Sequence, residues 1–387
     1  MQTRLQALEK TQVTIGFMPL LDSAPIIWAW HRGFFKQFGL DVSLAKEVSW
    51  ASLRDRLAYG ALDAAQCLAP MILAANLGAD QVGVPFVSAL TLSENWAAIS
   101  LSSQLAQQLE MDYHHNTPRE NAQALQQVVQ QGKILKLAHV FQFSLHHYLL
   151  REWLSLADLD EQSIEFYTVP PSQMVEQLQA GRIDGFCVGE PWNTAAASAG
   201  IGQVVTNTQA IWPHGADKVL GVTKAWALAN PNTHRALVAA LLKAQYELAT
   251  QAHYAELIKI LEQLNVLELP ESWLNAALQG FSAGNPARFL TGLNARPKPA
   301  DYAWVSLQII RWQQWQQPID LASLSQQSCD MACFDAAYQL LSQQENLPEQ
   351  LSLSSLQKHT IDTRQAVHYL ISKGWTQQQA QYMLVGA

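Results

Sequence analysis

Cysteine and charge are both scarce in this chain. Only 4 of its 387 residues are cysteine, and 14% are charged. The cysteines are too few and too scattered for a disulfide framework, and they lack the companion ligands of a zinc site. We therefore expect reduced, structural thiols and no metal or other cofactor. These residues are Cys67, Cys187, Cys329 and Cys333.

Positive charge and long apolar runs are scarce as well. The chain carries 24 Lys and Arg against 32 Asp and Glu, a formal net charge of −8. Binding to a nucleic-acid backbone needs clustered Lys and Arg, so we expect no direct nucleic-acid binding. No run of apolar residues is long enough for a membrane helix, so we expect no membrane insertion.

The first twelve residues are polar and lack the apolar core of a secretory signal. This feature predicts a cytoplasmic protein. A chain from which a signal segment had been removed would look the same.

Hydrophobic residues are abundant, at 49%, and the length suits two α/β lobes. Two stretches have the same pattern of helix, glycine, short buried strand and abrupt stop. The first has a helix capped by Ser49 and ending at Gly60, and its strand stops at Pro70. In the second, the helix ends at Gly181 and the strand over 183–188 stops at Gly189-Glu-Pro. Ligands of open α/β sheets bind at such strand ends, although an ordinary packed turn has the same pattern.

The order of the elements predicts how the lobes are assembled. Strands over 13–17 and 40–44, joined by a helix that Asp22 or Ser23 caps, predict a parallel crossover. A break at 93–96 and a turn-rich return over 211–221 predict two crossings between the lobes. We predict lobe I over 11–93 and 212–342, lobe II over 94–211, and a C-terminal helical tail over 343–387. The tail either packs on lobe I or serves as a docking element.

Several strings resemble the nitrate/bicarbonate-binding proteins of ABC uptake systems, over most of residues 13–315. The most specific is DGFCVGEPWN at 184–193, and the supporting strings are FMPLLDSAP (17–25), SWASLRD (49–55), VPPSQMV (169–175) and RW (311–312). The resemblance implies a bilobal type II periplasmic-binding-protein-like fold, with a ligand cleft and a hinge. With no signal segment, the chain is most similar to the cytoplasmic nitrate/nitrite sensors of this family, which hold an RNA-binding antiterminator of the ANTAR class inactive.

The resemblance also implies a set of ligand-binding residues. Trp50, His146 and Lys218 match the family's nitrate-contacting Trp, His and Lys, and Asn95 stands where nitrate binders carry Gln. Gly189, within DGFCVGEPWN, completes the predicted set. From the residues alone, a core tryptophan, a helix-capping histidine and a solvated lysine remain alternatives.

The expected ligand is nitrate or nitrite, because nitrate cannot donate a hydrogen bond and suits a site of donors with one positive charge. Bicarbonate carries a proton and favours an acceptor or a metal nearby, and the family's bicarbonate binders lack the lysine. We expect no enzyme, since no catalytic constellation stands out. The thiamine-pyrimidine synthase type shares the fold but would need an iron-binding cysteine cluster. The main alternative is a periplasmic nitrate or bicarbonate receptor of an ABC transporter.

Overall fold

The computed structural model describes residues 7–157, 159, 161–213, 215–280, 284, 286–345 and 362–384. Its strands form two five-stranded mixed sheets, each flanked by helices. The strands are β1 (Gln12–Phe17), β2 (Asp41–Lys46), β3 (Ala64–Leu68), β4 (Phe86–Glu94), β5 (Ala97–Ser102), β6 (Leu135–His139), β7 (Ile164–Thr168), β8 (Gly185–Gly189), β9 (Gly202–Asn207) and β10 (Ala216–Thr223).

The helices surround both sheets. They are α1 (Ala24–His31), α2 (Phe34–Gln37), α3 (Trp50–Ala58), α4 (Ala69–Leu77), α5 (Ser103–Gln108), α6 (Pro118–Ala124), α7 (Gln126–Gln130), α8 (Leu145–Leu154), α9 (Met174–Gln179), α10 (Trp192–Ser198), α11 (Lys224–Ala229), α12 (Pro231–Leu248), α13 (Tyr254–Gln263), α14 (Glu271–Gln279), α15 (Pro299–Arg311), α16 (Leu321–Gln327), α17 (Met331–Glu345), α18 (Thr363–Ser372) and α19 (Gln377–Met383).

Each sheet combines parallel and antiparallel pairs. The first has the order β2-β1-β3-β10-β4, and β1 runs parallel to both β2 and β3. The late strand β10 inserts antiparallel between β3 and β4. The second sheet has the order β7-β6-β8-β5-β9. The predicted α/β bilobal class and the first parallel crossover are confirmed.

The two repeated units have the local structure that their sequences predict. Ser49 accepts a hydrogen bond from the Ser52 amide at the start of α3, at 3.1 Å. Gly60 and Gly181 follow their helices with φ of +75° and +66°, a left-handed conformation that strains any residue with a Cβ. The expected cap on α1 is wrong, because Ser23 precedes α1 without capping it through its side chain and Asp22 bonds elsewhere.

The chain crosses twice between the sheets. It leaves the first sheet after β4 and enters the second at β5, and it returns between β9 and β10. One apolar cluster contains residues of both lobes, so the lobes are packed against each other. Its members include Phe17 of β1, Trp50 of α3, Tyr148 of α8 and Phe186 of β8. The lobe boundaries that we predict, 11–93 with 212–342 and 94–211, stay a prediction.

The described part of the tail packs on α15 and α16. Ala366, Leu370 and Ala380 are buried in a cluster with Leu307 and Ile310. Asp362 and Thr376 each form a capping box at the start of their helices, which explains why the two helices begin there. The rest of the predicted tail, 346–361 and 385–387, lies outside the described residues. No helix within the described ranges is long and apolar enough to cross a membrane.

Candidate functional site

Lys218 lies on β10 with its side chain completely buried. Its Nζ donates to Oδ2 of Asp217 at 2.5 Å, and it lies 3.0 Å from Oδ2 of Asp22. Both carboxylates are as buried as the lysine. A buried ammonium group is stable only with such partners, so the three side chains form one ionic cluster. We refer to Asp22, Asp217 and Lys218 as the ionic triad.

A β-bulge explains how two neighbouring residues of one strand can meet. Successive side chains of a regular strand point to opposite faces. In β10, however, Ala216 pairs with Glu94 and Lys218 pairs with Ser93, so Asp217 is an extra residue without a partner in the ladder. Bulges of this kind turn a side chain away from its regular direction. The irregularity therefore lets the carboxylate of Asp217 meet the ammonium of Lys218.

Asp22 reaches the triad from the segment that follows β1. The side-chain amide of Gln66, on β3, donates to Oδ1 of Asp22 at 2.6 Å. The backbone amide of Met18 in turn donates to Oε1 of Gln66 at 2.9 Å. This chain of hydrogen bonds fixes the orientation of Asp22. The triad is thus built at the carboxyl ends of β1 and β3, where α/β sheets bind their ligands.

His146 brings the second lobe to the triad. It lies in the first turn of α8, which Ser144 caps, and its Nε2 lies 3.5 Å from Oδ2 of Asp217. Within the described residues, neither ring nitrogen of His146 has a hydrogen-bond partner, although the side chain is fully buried. Buried polar groups normally have partners, so an unsatisfied imidazole marks a place where a ligand can bind.

Trp50 is a further buried donor. It is the first residue of α3, and Nζ of Lys218 lies 5.7 Å from the centre of its ring, within the range of a cation–π contact. Its indole Nε1 has no acceptor among the described residues. The predicted residues Trp50, His146 and Lys218 therefore lie around one position, and two of them have unused N–H groups.

Gly189 and Asn95 have different surroundings. A Cβ at Gly189 would lie 3.6 Å from Oδ2 of Asp22, so this glycine borders the triad. The amide nitrogen of Asn95 donates to the backbone carbonyls of Thr208 (3.1 Å) and Trp212. These bonds engage both amide hydrogens and tie the two crossings together. That Asn95 or Gly189 contacts a ligand remains a prediction.

The electrostatics of the triad differ between its two carboxyl groups. Burial raises the pKa of Asp22 above the ordinary value, and the nearby Lys218 only partly opposes this. Burial also acts on Asp217, but Lys218 and His146 outweigh it and hold the pKa of Asp217 well below its usual range. The pKa of Lys218 is raised, since the attraction of Asp217 and Asp22 exceeds the effect of burial. Asp217 and Lys218 thus form an ion pair, and burial shifts Asp22 toward its protonated form.

Hydrogen bonds between the lobes close the site on one side. The backbone amide of Leu21 donates to the carbonyl of Glu190 at 2.9 Å. The indole of Trp192 donates to the carbonyl of Pro19 at 3.1 Å. The segment after β1 is thereby held against Glu190 and Trp192, which follow β8 in the second half of the DGFCVGEPWN string. This string contributes backbone and packing to the closed interface.

A buried, enclosed polar cluster between two α/β lobes is the arrangement of a binding protein. The chain belongs to the NMT1-like family, whose sequence model matches residues 6–262. It is 35% identical to the bicarbonate transport ATP-binding protein CmpC of Synechocystis over 89% of this chain and 52% of that protein. It is 31% identical to the nitrate/nitrite binding protein NrtA of Synechococcus elongatus, over 79% of this chain and 72% of that protein. The chain thus spans about half the length of the first curated relatives it matches.

The fold is that of solved binding proteins. The crystal structure of the periplasmic nitrate-binding protein NrtA from Synechocystis PCC 6803 superimposes with a TM-score of 0.80. It covers 87% of this chain and 90% of that one at 24% identity. The alkanesulfonate-binding protein SsuA from Xanthomonas axonopodis superimposes with a TM-score of 0.60 at 17% identity. These likenesses establish the bilobal fold.

Sequence reasoning missed three members of the cluster: Asp22, Gln66 and Asp217. Asp22 was expected to cap a helix, whereas it binds Gln66 and Lys218. Strand periodicity argues against Asp217, because regular alternation would place it on the face opposite Lys218. The adjacent Asp-Lys pair at a predicted crossing was the one available hint. Because of these two carboxyl groups, the site contains hydrogen-bond acceptors as well as the donors that the sequence predicts.

Proposed function

We propose that this chain is a receptor for a small oxyanion, nitrate or nitrite first and bicarbonate second, and that it works with an ABC transporter. The observation that carries the proposal is a fully buried lysine beside the unused N–H groups of Trp50 and His146, at the contact of two lobes. A planar monoanion accepts from such donors and cannot donate. The names of the relatives support transport of nitrate, nitrite or bicarbonate.

Binding of a monoanion depends on the charge state of the triad. If Asp22 is protonated, the charges of Asp217 and Lys218 cancel, and an entering anion meets a neutral cluster that offers the ammonium of Lys218 and the N–H groups of Trp50 and His146. If Asp22 were ionised, the cluster would carry a net negative charge and repel the anion. The proposal therefore requires that Asp22 be protonated when the anion is bound.

Bicarbonate is a second candidate because the cluster also has acceptors. Oδ1 of Asp217 is buried and has no hydrogen-bond partner within the described residues. The hydroxyl of bicarbonate could donate to it, while nitrate would leave it unsatisfied at a cost of about 1–3 kcal/mol. This observation weakens the expectation from Lys218 alone that the ligand is nitrate or nitrite.

Calorimetric titration with nitrate, nitrite, bicarbonate (with and without calcium) and methanesulfonate separates these ligands. We expect saturable 1:1 binding of nitrate or nitrite and none of methanesulfonate. Saturation by bicarbonate alone would select the second candidate. No saturation by any of the three oxyanions would contradict the proposal.

A paired substitution tests the site itself. Lys218→Ala alone would leave Asp217 buried beside Asp22 without a counter-charge and destabilise the fold, so it would confuse folding with binding. Asp217→Asn together with Lys218→Met removes both charges at similar volume. We expect this variant to keep its thermal transition and to lose nitrate binding by at least about 30-fold, about 2 kcal/mol. Lys36→Ala, at an exposed lysine, is the control.

Regulation by the bound anion is the finer part of the proposal. A ligand that contacts both lobes shifts the population toward the closed form by its differential affinity. Two proteins can detect this change: a transporter, which the names of the relatives favour, and an RNA-binding antiterminator of the ANTAR class, as the resemblance predicts. Co-purification of the chain with each candidate, with and without nitrate, distinguishes them. A cytoplasmic location remains a prediction that fractionation of cells expressing the native gene tests.

A further inference from the structure

We propose that His234, Asp330 and Cys333 form a site for a transition-metal ion, and that Zn²⁺ is the ion its donors suit best. The imidazole nitrogen, carboxylate oxygen and thiol sulfur that these residues offer all lie within 4.8 Å of one another. Zn²⁺ is bound in proteins by this kind of donor set. The three residues come from α12 and the start of α17, whereas the ionic triad comes from β10 and the segment after β1. The site is therefore separate from the cluster described above.

His234 is the observation that points to a ligand. It lies in the first turn of α12 and is 1% exposed. Its Nε2 has no hydrogen-bond partner among the described residues, and its Nδ1 lies 3.8 Å from Oδ2 of Asp330. This distance is too long for a hydrogen bond. Since buried polar groups normally have partners, the ring is placed to bind something that these residues do not supply.

Hydrogen bonds hold Asp330 with one carboxylate oxygen toward His234. The backbone amide of Asp330 donates to the carbonyl of Ser88, on β4, at 2.8 Å. Its Oδ1 accepts from the amide of Cys333 at 3.0 Å, in the manner of a helix cap at the start of α17. The other oxygen, Oδ2, is the one that faces His234. Residues three apart lie on the same side of a helix, so this cap brings the carboxylate and the thiol together.

The distances are close to those of a metal site. Zn²⁺ bonds of about 2.0–2.3 Å in a tetrahedron place two ligand atoms about 3.3–3.7 Å apart. The 3.8 Å between Nδ1 of His234 and Oδ2 of Asp330 is near this separation. The sulfur of Cys333, within 4.8 Å of both, needs only a small rotation of its side chain. Because the side chain of Asp330 is 31% exposed, an ion can enter from solvent and keep a water as its fourth ligand.

The charges of the site suit a divalent cation. An ionised Asp330 and the thiolate of Cys333 together balance the two positive charges of the ion. Burial lowers the pKa of His234, so its imidazole is neutral near pH 7 and keeps a lone pair for the metal. Burial and Asp330 raise the pKa of Cys333, and Arg235 only partly opposes this, so the metal must displace the thiol proton. Imidazole and thiolate favour Zn²⁺ over Ca²⁺ and Mg²⁺, which prefer oxygen ligands.

No local pattern in the sequence predicts this site. Asp330 and Cys333 are neighbours on one helix, but His234 lies far earlier in the chain. The packing of α12 against α17 brings the histidine to the other two. The cysteines are expected to lack companion ligands, yet His234 and Asp330 lie beside Cys333. A bound ion would join the two helices and hold the start of α17 in place.

Co²⁺, a spectroscopic substitute for Zn²⁺, tests the proposal on the full chain after treatment with a chelator. We expect 1:1 binding with a thiolate-to-cobalt charge-transfer band and the visible bands of a four-coordinate ion. Zn²⁺ should displace the cobalt and remove these bands, whereas excess Ca²⁺ or Mg²⁺ should not. The absence of a charge-transfer band up to about 1 mM Co²⁺ would overturn the proposal, as would displacement by Ca²⁺.

Three variants assign the metal to these residues. Cys333→Ser should abolish the charge-transfer band. His234→Gln should weaken Co²⁺ binding at least about tenfold, and so should Asp330→Asn, whose side-chain oxygen can still cap the helix. The last two lie on different elements, so loss of the fold in one leaves the other as a test.

The control is His115→Gln, at an exposed histidine beside Asp112, and it should bind Co²⁺ like the wild type. A charge-transfer band that survives Cys333→Ser would show that another thiol binds the metal and would refute the assignment. Equal binding by the wild type, His234→Gln and Asp330→Asn would refute it as well. Nitrate does not enter these measurements, so they are independent of the function proposed for the cleft.

Discussion

Glu190 provides a sensitive test of the closed interface between the lobes. It follows β8 directly, is 3% exposed, and accepts a hydrogen bond from the amide of Thr194 through Oε2 at 3.1 Å. Its other oxygen has no partner among the described residues. Burial raises the pKa of Glu190 from 4.5 to about 7. Near neutral pH, this carboxyl group is therefore ionised more readily in the unfolded chain than in the folded protein.

The sign of the effect follows from this difference. Because the folded-state pKa is the higher one, the contribution of Glu190 to stability is fully present below pH 4.5 and is lost as the pH rises through about 7. The difference between 4.5 and about 7, at 1.36 kcal/mol per pKa unit, corresponds to about 3 kcal/mol. Glu190→Gln removes the ionisation and keeps the shape. We expect the two proteins to be similarly stable at pH 5, and the variant to be more stable by up to about 3 kcal/mol at pH 8.

Urea unfolding followed by circular dichroism at pH 5, 6, 7 and 8 measures this difference. Glu176→Gln, at an exposed position of α9, is the matched control and should follow the wild type at every pH. If the stability of Glu190→Gln and that of the wild type change with pH in parallel, Glu190 is not buried as an acid and the reasoning fails.

Three further predictions concern the triad, the core and the lobe interface. Nitrate affinity measured by calorimetry should fall as the pH rises through the raised pKa of Asp22, whereas the affinity of Asp22→Asn should depend little on pH. Parallel pH profiles of the two proteins would show that Asp22 does not control nitrate binding. Gly221→Ala should lower the free energy of unfolding by about 1–3 kcal/mol, because the new Cβ would lie 2.5 Å from Sγ of Cys67, and adding Cys67→Ala should restore part of the loss in urea unfolding. Glu152→Gln, which removes the ion pairs to Arg311 and Lys373, should cost about 1–3 kcal/mol in the same assay; an unchanged midpoint would show that these pairs contribute nothing.

Much of the fold follows from local signals in the sequence. Glycines with positive φ, such as Gly60 and Gly181, and a serine cap such as Ser49 mark where helices begin and end. Such signals depend on the residue itself and its near neighbours, so they can be recognised without the fold. The parallel crossover from β1 to β2 follows from the same kind of evidence combined with the handedness rule.

The chemistry of the site is less accessible from the sequence. Trp50, His146 and Lys218 were expected together through the resemblance, and the structure brings them together. The two partners of Lys218 are harder to predict. Asp217 meets it because of an irregular register in β10, and Asp22 lies far from it along the chain. Hydrogen bonds between segments so far apart, such as that between Gln66 and Asp22, have no signature in local composition.

The position of β10 determines the order in which the chain can fold during synthesis. Every strand of the second sheet lies between Ala97 and Asn207, so that sheet is complete once this segment has left the ribosome. The first sheet has a gap between β3 and β4 until Ala216–Thr223 emerges to fill it. The amino-terminal lobe, although translated first, must therefore wait for the lobe that follows it, with the edges of β3 and β4 unpaired in the meantime. Nascent chains of this protein that stop before residue 223 would expose these edges and need protection by chaperones.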